Sequence, residues 1–189
     1  MRSHQRLIGL VLAALWLASA LVACDSPPTA TPGISAEQRF KQGNEYMQSG
    51  QFDKAIPEFE AVLQMQPEQV SALTNLGVAY YNVGRLDDAI AQYQKALALA
   101  PGDADIHSNL AAAYVQKSQL DQALAEYQKA IDINPELHQA YFGLGVVHLQ
   151  LGKNDEAIAA FESFLKYDDG TDQLATDQAN QYLQQLKGQ

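Results

Sequence analysis

Small, aromatic and acidic residues recur along the chain with a period of 34 residues, and the apolar ones follow helical spacing within each period. In the second period, Gly77 and Tyr80 fall on one apolar stripe, and Ala89 and Tyr93 fall on another. The pattern therefore predicts two amphipathic helices per period. The residues that match across the four periods are the small Gly43, Gly77, Ala111 and Gly145, the acidic Asp53, Asp87, Asp121 and Asp155, the alanines Ala55, Ala89, Ala123 and Ala157, and the aromatic Phe59, Tyr93, Tyr127 and Phe161.

Repetition of helix pairs at this period is typical of an α-solenoid, in which each unit packs only on its neighbours. The sequence divides into four units, 36–69, 70–103, 104–137 and 138–171, and the amphipathic segment 172–187 is expected to form a capping helix on the last apolar face. Because such a stack presents a long concave surface rather than a pocket, it favours a binding function over a catalytic one.

Each recurrent residue has an expected structural role, which unit two illustrates. Gly77 on the first helix is expected to face Ala89 on the second, so that the two backbones approach closely. Tyr93 is expected to fill the gap to the next unit. Asp87 is expected to cap the second helix, and Pro101 to end it.

The two ends of the array differ from its middle. Ser35 and Gln38 predict a capping box at the start of the first helix. Unit four has His148 where tyrosine is expected, Phe164 where a small residue is expected, and Asp169 in place of proline. Such departures are typical of a terminal unit.

The repeat resembles the tetratricopeptide repeat, which has small residues at positions 8 and 27, alanine at 20, aromatics at 11 and 24, and proline at 32. The resemblance covers residues 36–171 and implies an all-α, right-handed solenoid whose first helices line a groove for a protein or extended peptide. Unit two supplies the full set: Gly77, Tyr80, Ala89, Tyr93, Ala96 and Pro101.

The family's groove positions carry a mixture of amide and apolar side chains here. Asn75 and Asn109 share one repeat position and resemble an asparagine ladder that grips a peptide backbone, since an amide donates and accepts at once. Equally, they could serve packing alone, satisfied by water or a neighbouring helix. The residues expected to line the groove are Phe40, Asn44, Asn75, Val78, Tyr81, Asn109, Val115, Phe142, Val146 and Leu149.

The groove lacks the carboxylate clamp by which chaperone-binding members of the family hold a peptide C-terminus. Phe40, Asp105 and Asn109 stand at the positions where the resemblance would require basic residues. Asn44 and Asn75 do match the two asparagines of that clamp. An extended internal segment of a partner is therefore expected rather than a free carboxylate.

The N-terminal segment 1–23 predicts a signal peptide. Arg2 and Arg6 precede an apolar run over residues 7–22, which is shorter than the roughly 20 residues of a membrane span. The run ends in Leu-Val-Ala before Cys24, which resembles a bacterial lipobox and implies that Cys24 is acylated. An uncleaved anchor helix and an ordinary secretory signal are the alternatives.

Residues 24–34 then form an acylated N-terminus and a tether rich in proline and threonine, without the apolar side chains that a core requires. These features place the protein in the bacterial cell envelope, attached to a membrane through Cys24. Asp25 favours the inner membrane if the enterobacterial sorting rule applies, so the membrane itself stays open.

Composition narrows the classes of partner. Acidic residues outnumber basic ones by 22 to 12, with a formal net charge of −10, so nucleic acid is not expected as a ligand. His107 and His148 occupy packing positions, no histidine is spaced with a second metal ligand, and the acidic run 168–172 indicates a solvated helix end. We therefore expect no enzyme, no metal site and no cofactor.

Together these features predict a membrane-anchored lipoprotein that serves as a non-catalytic scaffold for a protein partner. Architecture alone resembles lipoproteins that assemble pili or outer-membrane complexes. An adaptor for peptidoglycan enzymes, direct glycan binding and self-association through the array ends remain alternatives. The oligomeric state stays open.

Overall fold

The computed structural model describes residues 33–188, which form nine α-helices and no strand. Cys24, the predicted signal peptide and most of the predicted tether lie outside the described residues. The helices are α1 (Ala36–Gln48), α2 (Phe52–Met65), α3 (Val70–Asn82), α4 (Leu86–Leu99), α5 (Ala104–Gln116), α6 (Leu120–Ile133), α7 (His138–Gln150), α8 (Asn154–Tyr167) and α9 (Gln173–Lys187).

The helices pack as four consecutive pairs followed by α9, and each also packs on the next helix along the chain. The first helices α1, α3, α5 and α7 contact one another in turn. This arrangement confirms the predicted all-α solenoid with a C-terminal helix. Within residues 33–188, no helix combines the length and the apolar character needed to cross a bilayer.

The same turn joins the two helices of every unit. In unit two, the N–H of Gly84 bonds to the carbonyl of Tyr81 and the N–H of Arg85 bonds to the carbonyl of Tyr80, which is a Schellman motif. The residue at the position of Gly84 has a positive φ in all four units, and in unit three it is Ser118, with φ 58°. Serine there adopts a conformation that favours glycine.

This turn overturns the expected capping role of the repeated aspartates. Arg85 ends the Schellman motif and is also the N-cap of α4, so Asp87 is already the second helical residue. No side-chain cap bond forms at the N-cap of α2, α4, α6 or α8. The prediction was therefore wrong; the aspartates place a negative charge near the positive end of the helix dipole, and Asp87 also pairs with Lys117.

Side-chain caps occur elsewhere in the array. The predicted capping box of Ser35 and Gln38 is confirmed at the start of α1. Asp103 caps α5 by accepting from the N–H of Ile106, and Asp172 caps α9 in the same way. Asp103 and Asp172 do not follow a Schellman turn, so their side chains are free to fold back onto the helix.

Aromatic rings lie over the glycine positions, and Tyr93 also lies beside Asn109 and Ala112 of the next unit, where it was expected. A β-carbon on Gly77 would lie 2.6 Å from the ring of Tyr93 in its own unit, and units one and four have the same arrangement. In unit three the glycine position holds Ala111, and Tyr127 lies instead against Gly143 of the next unit, 2.1 Å from where a β-carbon would stand. The ring of Tyr127 is therefore the one of the four that lies over a glycine of the next unit.

Helix α9 stands where the first helix of a fifth unit would begin. Ala179 follows Gly145 by 34 residues and is fully buried, and Tyr182 follows His148 by 34 residues. Tyr182 stacks on Phe161 with ring centroids 5.1 Å apart. These contacts cover the last apolar face, as expected of a terminal helix.

Candidate protein-binding groove

All ten residues predicted to line the groove are half-buried, and they lie on α1, α3, α5 and α7. Six of them, together with uncharged neighbours, line two depressions of about 140 and 170 Å³ that share Tyr81 and Ala112. We call this continuous surface the central groove. The six are Val78, Tyr81, Asn109, Val115, Phe142 and Val146.

The other four predicted residues lie elsewhere. Phe40 and Asn44 line a separate depression on α1 beside Glu37 and Lys41, and Phe40 packs edge to face on Phe59 at 5.7 Å. Leu149 packs against the last apolar cluster. Neither Leu149 nor Asn75 lines the central groove, so the structure does not bring all ten residues together.

The central groove has no charged side chain in its lining. Apolar and aromatic residues of α3, α5 and α7 form its walls, and its polar groups are the amides of Asn82, Asn109 and Gln116 and the tyrosine hydroxyls. Such a surface suits the neutral backbone and apolar side chains of an extended peptide. It offers nothing to neutralise a free carboxylate or a phosphate.

Tyr93 and Tyr127 line the groove floor, although their repeat position had indicated only core packing. Both rings are buried, and burial raises the pKa of each hydroxyl above its ordinary value. The hydroxyls therefore stay neutral at physiological pH. Neither forms a hydrogen bond with another residue in 33–188, and that of Tyr127 lies beside Gly143 on the floor. For Tyr127, the signal in the sequence was Ala111, which has a methyl group where units one, two and four have a glycine under the ring.

The asparagine ladder is only partly present. Asn75 donates from Nδ2 to Oδ1 of Asn44 at 2.8 Å, which joins α3 to α1. Asn109 makes no side-chain hydrogen bond within residues 33–188 and lines the central groove. In unit four the equivalent residue is Gly143, which accommodates the ring of Tyr127. Packing thus accounts for Asn75, whereas the Asn109 amide faces the central groove without a hydrogen-bond partner in residues 33–188.

His107 is a structural residue. It is buried, with Nδ1 2.6 Å from Glu126 Oε2 and Nε2 3.1 Å from the carbonyl oxygen of Pro101. Lys129 donates to the other oxygen of Glu126 at 2.8 Å. Burial alone would raise the pKa of Glu126, but the hydrogen bonds from Lys129 and His107 hold it below its ordinary value. This network joins α5 to α6, and none of its side chains lines the central groove.

His148 is half-buried on α7, and its Nδ1 has no hydrogen-bond partner within residues 33–188. Burial lowers the pKa of its imidazole, against an opposing effect of Glu156. A neutral ring at this position fills the space that tyrosine occupies in units one to three. The structure places it in packing, as its repeat position indicated.

One cluster brings together residues that the sequence spacing did not connect. Ligand atoms of His138, Asp168 and Asp169 lie within 4.8 Å of one another, because α7 begins beside the end of α8. The donor set is one that a divalent cation accepts. However, Asp168 already accepts from the N–H of Gly170 and the hydroxyl of Thr176, so its oxygens hold the turn before α9.

Sequence comparison identifies the class of protein. Four family models, described as tetratricopeptide repeat or TPR repeat, match residues 40–104, 92–125, 113–152 and 138–170. The chain belongs to the tetratricopeptide repeat family. The search of curated proteins gives no match.

Solved structures agree with this assignment. A crystal structure of the MamA protein is 28% identical over 81% of this chain and 82% of its own, with a TM-score of 0.68. PilF of Pseudomonas aeruginosa is 22% identical over 80% and 67%, with a TM-score of 0.70. The protein TTC0263 of Thermus thermophilus, a thermophilic tetratricopeptide repeat protein, is 24% identical over 80% and 81%, with a TM-score of 0.68. The last two likenesses concern the fold alone. Family and fold together support a protein-interaction scaffold.

Proposed function

We propose that this protein is a non-catalytic scaffold that binds an extended, uncharged segment of a protein partner in the central groove. The observation that carries the proposal is the continuity of that groove across α3, α5 and α7 without a charged side chain. A peptide in it would bury apolar side chains without leaving any buried charge unpaired.

The groove residues have separate roles in this proposal. Tyr81, Val115 and Val146 receive apolar side chains of the segment. The Asn109 amide and the Tyr127 hydroxyl bond to its backbone, which gives affinity that is largely independent of sequence. Tyr81, Val115, Val146 and Asn109 are half-buried, which supports their roles because each keeps part of its surface for a ligand.

A photocrosslinking residue at Val115 tests the proposal in the native host. The matched control is the same residue at Ala125, which is exposed on α6 in the same unit. We expect a discrete protein adduct from Val115 alone, and mass spectrometry of the adduct should identify an extended segment poor in charged residues. Identical adducts from both positions would contradict groove binding.

A second variant blocks the groove without altering the core. Ala112 is shared by both depressions and is half-buried, so Ala112→Glu places a charge on the groove floor. We expect it to abolish the Val115 adduct, whereas Ala125→Glu should leave the adduct intact. Sedimentation with purified peptidoglycan is the parallel assay for the glycan alternative. If the parent protein sedimented with peptidoglycan and Ala112→Glu did not, the ligand of the central groove would be a glycan and not a peptide.

Membrane attachment through acylated Cys24 is part of the same proposal, with the scaffold working in the bacterial envelope during assembly of a larger complex. The Leu-Val-Ala-Cys sequence that ends at Cys24 supports it. Cys24→Ser should prevent labelling by a palmitate analogue and release the protein from the membrane fraction. Undiminished labelling of the variant would exclude Cys24 as the acylated residue.

A further inference from the structure

A second pocket of about 230 Å³ lies between α7 and α9, beyond the residues that the repeat pattern assigns to the groove. It meets the central groove at Phe142, whose ring lines both. We call it the terminal pocket. The lining residues that matter for the inference are His138, Phe142, Phe164, Asp172, Leu174 and Ala175.

The terminal pocket lies where α9 packs more extensively on α8 than on α7. Successive first helices from α1 to α7 are in contact, whereas α9 packs on α8. Phe164 lies at this place. Units two and three have Ala96 and Ala130 at its repeat position, but here a buried phenylalanine packs against Phe142 with ring centroids 5.3 Å apart. The ring is larger than the methyl group of an alanine, and it lines the pocket between α7 and α9.

The floor and one wall of the pocket are apolar. Phe142 and Phe164 form the floor, and Leu174 on α9 leaves 69% of its surface exposed beside them. Leu174 is the most exposed large apolar residue in the described part of the chain. An exposed apolar side chain at the mouth of an apolar pocket gains contacts when a second apolar group enters.

The rim on the side of the loop between α8 and α9 is acidic. Asp172 lines the pocket, and Asp168 and Asp169 lie beside His138, which also lines it. None of the three aspartates forms an ion pair with a lysine or arginine in residues 33–188. Three carboxylates without cationic partners give this rim a negative potential.

We propose that the terminal pocket anchors the end of the partner segment by taking one bulky apolar side chain, with a lysine or arginine close to it in sequence that pairs with the acidic rim. The inference rests on the proposed function and adds a specificity site that the neutral central groove does not provide. The basic side chain orients the segment, because this end carries carboxylates without cationic partners, whereas the depression on α1 carries Lys41 together with Glu37 and Glu45.

Dye-labelled peptides test the inference by fluorescence anisotropy, with the full-length protein in nonionic detergent. The first peptide is acetylated and amidated Gly-Ser-Leu-Gly-Lys-Ser-Gly; the second replaces its lysine by glutamate, and the third replaces its leucine by alanine. We expect binding to weaken on the order of tenfold without the leucine. Glutamate for lysine should weaken it about fivefold or more, an effect that added salt reduces.

Protein variants locate the binding. Leu174→Ser should weaken the leucine–lysine peptide on the order of tenfold, whereas the matched Leu99→Ser, at another exposed leucine, should leave it unchanged. Asp169→Asn combined with Asp172→Asn should remove the preference for lysine over glutamate. Asparagine retains acceptors for the turn and for the α9 cap, so helix content should not change.

The outcomes separate this inference from the proposed function. Equal binding of the three peptides would overturn the inference. If Ala112→Glu abolished binding and Leu174→Ser did not, the inference would also fail, because the peptide would then lie in the central groove. If the protein bound Zn²⁺ tightly, lost this binding in His138→Ala and did not discriminate among the peptides, the cluster of His138, Asp168 and Asp169 would be a metal site instead. Peptide discrimination in a protein that yields no specific Val115 adduct would retain the pocket and refute the central groove.

Discussion

Tyr127 packs against Gly143 of the next unit, whereas the equivalent rings of the other units pack against the glycine of their own unit. This difference gives the first prediction. In Gly143→Ala, the new β-carbon would stand 2.1 Å from Cζ and 2.3 Å from Oη of Tyr127. Carbon atoms in contact prefer about 3.5–4.0 Å, so the ring must move by more than about 1 Å. Its alternative position on its own unit is closed by the methyl group of Ala111.

The magnitude follows from two opposing effects. Overpacking a buried position costs about 1–3 kcal/mol, and a ring with no free space should fall near the upper end. Alanine gains about 1 kcal/mol over glycine in a helix interior. We therefore expect a net destabilisation of about 2 kcal/mol, which lowers the midpoint of thermal unfolding by about 4–8 °C.

The compensating change is Ala111→Gly, which reopens the position that the aromatic ring occupies in units one, two and four. Alone it should cost about 1 kcal/mol of helix propensity. Combined with Gly143→Ala it should return the stability to within about 0.5 kcal/mol of the parent protein. The coupling free energy is then about 3 kcal/mol, at the upper end for residues in contact.

The assay is urea and thermal unfolding of the four proteins, followed by helical circular dichroism. Gly102→Ala is the control for substitution as such, because a β-carbon there meets no atom within 4 Å. The explanation that Ala111 keeps the ring of Tyr127 from its own unit requires the double variant to be more stable than Gly143→Ala. A double variant that shows the two losses added together would refute it.

Three further predictions concern other features. Ser118→Gly should raise the stability by about 0.5–1 kcal/mol in thermal unfolding, because φ 58° strains serine. The control Ser108→Gly, within α5, should lower the stability. A change in stability of the same sign in both variants would contradict the strain. Glu126→Gln should lower the stability at pH 6, and by progressively less below about pH 4.5. The reason is that the folded pKa of Glu126 is lowered: the carboxylate stabilises the fold fully above its unfolded pKa and loses this effect as the pH falls through the folded pKa. A difference in melting midpoint that does not change with pH would exclude this linkage. Asn109→Ala should weaken the Val115 adduct with little change in stability, whereas Asn75→Ala should cost about 1 kcal/mol and spare the adduct; the reverse pattern would show that the two amides have exchanged roles.

Much of the fold followed from spacing alone, because local chemistry repeats with the period. The helix pairs, the capping box at Ser35 and the terminal helix could be predicted since each depends on neighbours within a few residues or one repeat. The capping role of Asp87 could not. Whether an aspartate caps a helix depends on where the preceding turn ends, and the Schellman motif ends two residues before it.

The candidate site was predicted less completely than the fold. Repeat position identified the residues of the central groove from Val78 to Val146, but it did not distinguish Asn75, which bonds to Asn44, from Asn109, which lines the groove. Both occupy the same position of the repeat. The difference lies in what the preceding unit presents, and one unit's own sequence does not contain that information.

By itself, the sequence determined the class of this protein: its repeat length, its four helix pairs and the helices that face the groove are set by periodic local interactions. The tertiary structure decided which aromatic rings and which charged side chains contact each other across units. The ring of Tyr127 lies against Gly143 of the next unit, Phe164 lines the space between α7 and α9, and His138 lies beside Asp168. These outcomes depend on volumes and contacts between units, which no single position in the repeat specifies.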